Sequence, residues 1–231
     1  MDRRWADDWM LDLEFEELGR VARLDQARLF IDIDIGGARQ VTSSRLQPRY
    51  PGLRFLSLDA RPQPRPAIRA IRSARANALR LPLAAGVADV CYARFMLQYL
   101  GAVQAGLAEM TRVTRPGGVV AALEADDDCV VLHPLHDEVR RAVAAHDAAL
   151  AARGEDRRLG RKLRGLLLDA GLEHVGVRAF TITTEQVEMR SLWLTAMVPR
   201  GLDPEVPPWA LAPGAFGCVV VFLGWGRVPG G

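Results

Sequence analysis

The run Leu29-Phe30-Ile31-Asp32-Ile33-Asp34-Ile35-Gly36-Gly37 is rich in β-branched and aromatic residues and stops at two glycines. That pattern predicts a buried strand followed by a tight turn. Leu53-Arg54-Phe55-Leu56-Ser57-Leu58 predicts a second strand, closed by Asp59, and Val87 to Tyr92 a third. A helical stretch is expected from Phe95 to Thr114. Pro116-Gly117-Gly118 breaks it, and Val119 to Leu123 predicts a fourth strand ending at Glu124. Strand, helix, strand, helix at this spacing implies an α/β protein with a mostly parallel sheet and helices on both faces.

The flanks are more helical. Trp5 to Leu24 reads as an amphipathic helix, with Trp5, Trp9, Leu13 and Leu24 on part of its apolar side. Downstream, helices are expected over Asp137 to Ala152 and Leu159 to Ala170, the second stopped by Gly171. Val175 to Thr183 alternates like a strand. Ser191 to Val198 predicts a short helix, Pro204 to Pro213 a proline-rich loop, and Val219 to Trp225 a last strand paired with Val175 to Thr183. No repeat or interior linker divides the 231 residues, so a single domain is expected, with an N-terminal helical segment (1–26) ahead of two halves (27–125 and 126–231).

Composition excludes more than it adds. With 49% hydrophobic and 25% charged residues, the chain is neither disordered nor a disulfide scaffold. Its net charge of +2 requires neither a nucleic-acid nor a membrane partner. Lys162 is the one lysine among 30 basic residues, an arginine bias that reads as coding composition. Cys91, Cys129 and Cys218 lack CxxC spacing. Met1 to Glu17 lacks the apolar core of a signal peptide, and no apolar run approaches the ~20 residues that span a bilayer. A cytoplasmic protein is expected.

In an open parallel sheet, ligands bind beyond the carboxyl ends of the strands. Four segments fall there. Asp34-Ile35-Gly36-Gly37-Ala38-Arg39-Gln40 lets backbone approach a ligand and leads to a helix N-terminus. Asp59, followed by Ala60, is an acid suited to two ribose hydroxyls. Asn77-Ala78-Leu79-Arg80-Leu81-Pro82 offers a polar side chain and backbone N–H to a base edge. Arg94 follows the third strand and suits a carboxylate.

In order and at these spacings, the segments resemble class I S-adenosylmethionine-dependent methyltransferases of the small-molecule type, similar to the ubiquinone/menaquinone methyltransferase group. The likeness runs from about Ala27 to Arg227. It is most specific over Asn77 to Pro82, Ala88-Asp89-Val90, Arg94 to Leu97, Glu109 to Val113 and Arg115-Pro116-Gly117-Gly118. The resemblance implies a Rossmann-like, mostly parallel seven-stranded sheet with an antiparallel last strand. It implies S-adenosylmethionine as cofactor, its methionine part held at Asp34, Gly36, Gly37 and Ala38, its ribose at Asp59 and Ala60, and its adenine at Asn77, Ala78 and Leu79. Arg94 lies beside the cofactor. Methyl transfer to an O, N or C nucleophile of a small molecule follows, with proximity and orientation as the main catalytic contribution.

The chain departs from the family pattern in places. Ala38 and Gln40 stand where second and third glycines are usual, and an added Cβ there obstructs a close backbone approach. Asp32 falls within an apolar strand and needs a partner, such as an arginine, to be buried. Asn77 replaces an aspartate, and Gln98-Tyr99 a pair of histidines. His133, His136 and His146 are the candidate bases, His133 first because His-Pro at that place resembles the family pattern. Gln98 and Arg94 are the other catalytic candidates. Asp126-Asp127-Asp128 reads as a solvated acidic loop in preference to a metal site. Trp193 and Trp209 read as core, with an aromatic substrate pocket as the alternative. The eroded glycine turn keeps two other functions open: a methyltransferase-like protein that catalyses a cyclisation or rearrangement, and a non-catalytic partner of an active methyltransferase. The expected partner is a small molecule, with no nucleic acid and no membrane; a homodimer is left open.

Overall fold

The computed structural model describes residues 4–34, 41–60, 71–193 and 205–230. Helix α1 (Arg4–Ala22) precedes β1 (Leu29–Asp34), α2 (Val41–Leu46), β2 (Arg54–Asp59) and β3 (Ile71–Arg75). Then come β4 (Ala88–Arg94), α3 (Val103–Val113), β5 (Thr114–Ala125), β6 (Val131–His133) and α4 (Asp137–Ala151). The chain continues through α5 (Leu163–Asp169), β7 (Glu173–Thr183), α6 (Met189–Leu192) and β8 (Phe216–Arg227).

The strands form one eight-stranded sheet. β3, β2, β1, β4 and β5 lie side by side and parallel. β8 runs antiparallel to β5 along one edge and to β7 along the other. β6 pairs with residues 216–218 of β8, while β5 pairs with residues 221–227. Because Cys218 already meets Thr183 of β7, β6 must continue the β5 side. Eight strands thus fill seven positions, with β8 as the antiparallel strand, as expected. That strand order makes the carboxyl ends of β1 and β4 neighbours, where the direction of winding reverses.

Alternating side chains sort the core into two layers. Phe30, Phe55, Val90 and Tyr92 pack on one face with Phe15 and Leu18 of α1. Ile31, Ile33, Cys91 and Ala93 pack on the other with Leu107 and Met110 of α3 and with Leu163 and Leu167 of α5.

Several boundaries differ from expectation. The helix expected over Phe95 to Thr114 is split: a 3₁₀ turn (Leu97–Tyr99) comes first, and α3 begins at Val103. The break at Pro116-Gly117-Gly118 lies inside β5, where the β4–β5 register shifts between Ala88 and Val90. Gly118 is required there, since a Cβ would stand 2.8 Å from the Asp89 carbonyl oxygen and 2.9 Å from that of Arg115. Pro208–Leu211 in the proline-rich segment is a 3₁₀ turn. The short helix expected at Ser191 to Val198 starts earlier, at Met189, and residues 194–198 lie outside the described residues. Among the described residues, no helix is long and apolar enough to cross a membrane.

Candidate active site

Asp34 and Asp59 end their strands directly opposite one another in the β1–β2 register. Asp59 is buried, and its backbone carbonyl accepts the Ala76 N–H at 2.8 Å. That bond draws the turn after β3 against the end of β2. In the turn, the Asn77 side-chain oxygen accepts the Leu79 N–H at 2.9 Å, a compact Asx turn, and the Arg80 N–H closes on the Asn77 carbonyl at 2.9 Å. Ala78 is partly buried against the core, and Leu79 is 38% exposed. The edge therefore brings a carboxylate, a backbone turn and an exposed apolar side chain into one short arc. Ala60, the next residue after Asp59, is exposed. Gly36, Gly37, Ala38, Arg39 and Gln40 lie outside the described residues.

Arg94 ends β4, one residue beyond the Ile33–Ala93 pair. Its Nε donates to the Glu14 carboxylate of α1 at 3.1 Å, and its guanidinium lies 4.8 Å from the centre of the Phe95 ring. The Tyr92 hydroxyl donates to the same carboxylate, and Tyr92 and Glu14 are both buried. The arginine expected to meet a ligand carboxylate thus already meets one from α1. The Glu14 signal was present in the helix, but its partners lie about 80 residues away.

Buried acids surround this edge. Asp32 accepts from the Ser43 hydroxyl at 2.9 Å, a serine where an arginine was anticipated. Burial, with the Asp34 charge adding to it, pushes Asp32 up to about 7; the Ser43 hydrogen bonds and the Arg94 charge act the other way. Glu124, at the end of β5, is wholly buried, and burial pushes it up to about 8. Its Oε1 accepts the Met96 N–H at 3.0 Å and the Leu97 N–H at 2.7 Å. Gln98 is buried beside it; its Nε2 donates to the Phe95 carbonyl at 3.4 Å.

The histidines lie elsewhere. His133 is exposed on β6 opposite Phe216. Along β8 that is five residues beyond Val221, the partner of Ala125, or about 17 Å of strand. β6 thus continues along β8 past the end of β5. His136 precedes α4 and stacks on Trp209 with centroids 4.5 Å apart. His146 is half-buried within α4. Trp193 is buried edge-on to Trp209 at 5.8 Å, which makes it core. The side chains of Trp5 and Trp9 lie outside the described residues.

The acidic triplet is not a solvated loop. Asp127 is buried against Arg157, whose Nε and Nη2 reach it at 2.7 and 3.3 Å. Asp128 meets Arg158 at 2.7 Å, and Asp126 meets Arg161. Arg158 also meets Asp147 of α4 at 2.8 Å. No cluster of three metal-ligating side chains occurs among the described residues. These ion pairs tie together the two turns that flank α4. Between α4 and the preceding segment opens a cleft of about 220 Å³. Val130, Leu132, Leu135, Val139 and Val143 form its apolar wall, and Asp127 and Asp147 lie at its polar side.

A parallel sheet wound in this order, with an antiparallel strand beside β5, is the class I methyltransferase fold. Residues 33–122, which run from β1 through most of β5, match the family model described as a methyltransferase domain. The structure is similar to the phosphoethanolamine N-methyltransferase 2 of Haemonchus contortus solved with S-adenosyl-L-methionine. The TM-score is 0.60 at 13% identity over 94% of this chain, which spans about half of that protein (52%). It is also similar to the [4+2]-cyclase SpnF, with a TM-score of 0.62 at 16% identity over 100% of this chain and 86% of that one. An O-methyltransferase family protein of Burkholderia thailandensis gives 0.52 at 18% identity over 99% of this chain and 60% of that one. A search of the curated proteins finds no match.

Proposed function

We propose that the chain binds S-adenosylmethionine across the carboxyl ends of β1, β2 and β4 and transfers its methyl group to a small, largely apolar acceptor. The observation that supports this reading is the hydrogen bond from the Ala76 N–H to the Asp59 backbone carbonyl, which sets the Asn77 turn beside the end of β2, where Asp59 stands. The cofactor demands that pairing: an acceptor for the two ribose hydroxyls, and beside it a backbone turn with an apolar surface for the adenine. The residues present fit it. Asp59 would take the ribose, Asn77 and Ala78 the adenine edge, and Leu79 one face of the ring.

When bound, the cofactor would supply an activated methyl group on its sulfonium. The chain's part is then to orient and to exclude water. Glu14 clamps α1 to the sheet through Tyr92 and Arg94 and closes one side of the mouth. The cleft under α4, apolar along one wall, is the surface offered to the acceptor's body. Gln98 flanks the mouth, and we assign proton acceptance to His133, exposed on β6 beyond the end of β5, which would meet the far end of the acceptor. The N-methyltransferase and the O-methyltransferase family protein among the similar structures support the reaction class.

A second reading rests on the sequence 34–40, where Ala38 and Gln40 occupy glycine places, and on the similarity to a [4+2]-cyclase. There the cofactor site serves as scaffold and the apolar cleft carries a rearrangement. Incubation with methyl-labelled cofactor and a panel of small phenols, alcohols and amines separates the two. Label in a product supports methyl transfer. Cofactor binding with no label transferred to any acceptor of the panel supports the second reading.

A further inference from the structure

The turn after β4 is backbone under strain. Phe95 has φ +48°, in the left-handed region that a bulky side chain rarely enters. The Phe95 N–H donates to the Leu123 carbonyl at 2.8 Å, so the residue still belongs to the β4–β5 ladder when the chain swings away. The next two N–H groups open the 3₁₀ turn, and Met96, at its N-cap position, offers no side-chain cap. Both are taken instead by Glu124 Oε1, reaching across from the neighbouring strand. A carboxylate on β5 does the work that an N-cap residue does locally.

What this turn carries is functional by the reading above. The left-handed Phe95 puts its ring under the Arg94 guanidinium, which in turn meets Glu14. Gln98 hangs its side chain on the Phe95 carbonyl, and its own carbonyl accepts the Asp156 N–H at 2.9 Å, which joins the turn to the segment after α4. Glu124 Oε2 and Gln98 Oε1 are buried and have no hydrogen-bond partner among the described residues. A buried polar atom without a partner costs stability, so each of the two asks for a reason other than stability.

We propose that Glu124 is a positioning residue of the active site, fixing the turn that holds Arg94 against Glu14 and sets Gln98 beside the mouth. It acts through the Met96 and Leu97 amides and touches neither ligand. This rests on the reading of the carboxyl edge as the cofactor site. The protonation of Glu124 is then felt at the mouth: the anion grips the two N–H groups more tightly than the neutral acid does. Burial pushes Glu124 up to about 8 against the backbone N–H groups of the turn and the charge of Arg157, so the change falls at mildly alkaline pH.

The test compares Glu124→Gln, which keeps an acceptor oxygen and cannot titrate, with Glu124→Leu, which removes the acceptor. Two readouts are taken from pH 6 to pH 9.5: amide NMR of Met96 and Leu97, and affinity for S-adenosylhomocysteine. In the wild type both amide shifts should titrate together, and affinity should change with the same midpoint. In Glu124→Gln the amide titration should vanish, and affinity should be flat with pH and within about threefold of the wild-type value at low pH. In Glu124→Leu the two amides should exchange at least about fivefold faster and affinity fall about tenfold. If the wild-type amides do not titrate, or titrate equally in Glu124→Gln, the proposal is overturned whether or not the Leu variant folds. If the amides behave as stated and the wild type binds no S-adenosylhomocysteine, the hold on the turn stands, and the cofactor reading and the active-site role built on it both fail.

Discussion

Arg157 Nε donates to Asp127 Oδ2 at 2.7 Å across 30 residues of chain, with 7% and 2% of the two side chains exposed. The Arg157 Nη1 also reaches the Tyr99 hydroxyl at 3.1 Å, so one buried guanidinium ties the turn after β5, the turn after β4 and the segment after α4. Removing one member of a buried pair leaves the other charge uncompensated, at a cost of about 3–5 kcal/mol. Arg157→Leu should therefore destabilise the protein by that order in urea unfolding. The Arg157→Leu, Asp127→Leu double variant should recover a large part of the loss. A single variant within about 0.5 kcal/mol of wild type would show that the pair bears no load.

The pair also shows what a sequence hides. The acidic run Asp126-Asp127-Asp128 is obvious, but its partners Arg157, Arg158 and Arg161 lie among many other arginines, so nothing local marks them. The four principal strands were legible, because each is an apolar run ended by an acid, a glycine or an arginine. β3 was not. It is an edge strand in which Ile71 alone is buried, and Arg72 to Arg75 present the polar face of a loop. β6 has three residues and forms only because β8 overshoots β5. The split of the expected helix at Phe95 was equally hidden, since the carboxylate that takes the first N–H groups of the turn comes from Glu124, nearly thirty residues away. At the site, Asp34, Asp59, Asn77 and Arg94 fall at the edge where the strand pattern puts them. The clamp from Glu14 depends on tertiary packing alone.

Two buried acids set a pH dependence. Asp32 rises from 3.8 to about 7 and Glu124 from 4.5 to about 8, each chiefly through burial. For a group whose native value is raised, the stabilising contribution is full below the unfolded value and is lost as pH climbs through the native one. Stability should thus fall from pH 5 to pH 9 on account of these two residues. Asp32→Asn, which keeps an acceptor for Ser43, should flatten the lower part of that fall, from pH 5 up to about pH 7. Urea midpoints at pH 5, 7 and 9 give the answer. A wild-type midpoint that rises over this range would refute the burial argument.

Glycine positions offer a paired control. At Gly118 a Cβ meets two backbone carbonyls under 3.0 Å, and neither strand can retreat without loss of the β4–β5 ladder. Gly118→Ala should cost at least about 2 kcal/mol. Gly165 sits in α5 with nothing within 4 Å of a built Cβ. Gly165→Ala should be neutral or stabilise by about 0.5–1 kcal/mol. Thermal melts of the two variants side by side test the register, and equal melting temperatures would contradict it.

The Tyr92–Glu14 hydrogen bond fastens α1 over the mouth. Tyr92→Phe removes the donor and leaves the ring, at a cost of about 1–3 kcal/mol for the deprived buried carboxylate. Amide exchange in the Glu14–Leu18 turn should quicken in this variant more than exchange in α5. Uniform change across the molecule would mean that α1 is not held by this contact.

Calorimetric titration with S-adenosylmethionine and with S-adenosylhomocysteine, on the wild type and on Asp59→Ala, bears most directly on the proposed site. The wild type should bind both, with dissociation constants on the order of 1 μM to 1 mM, and Asp59→Ala should weaken both by at least about tenfold through loss of a carboxylate hydrogen bonded to the ribose. Absence of heat with either ligand at millimolar concentration, or unchanged affinity in Asp59→Ala, would contradict the assignment of the carboxyl edge as the cofactor site.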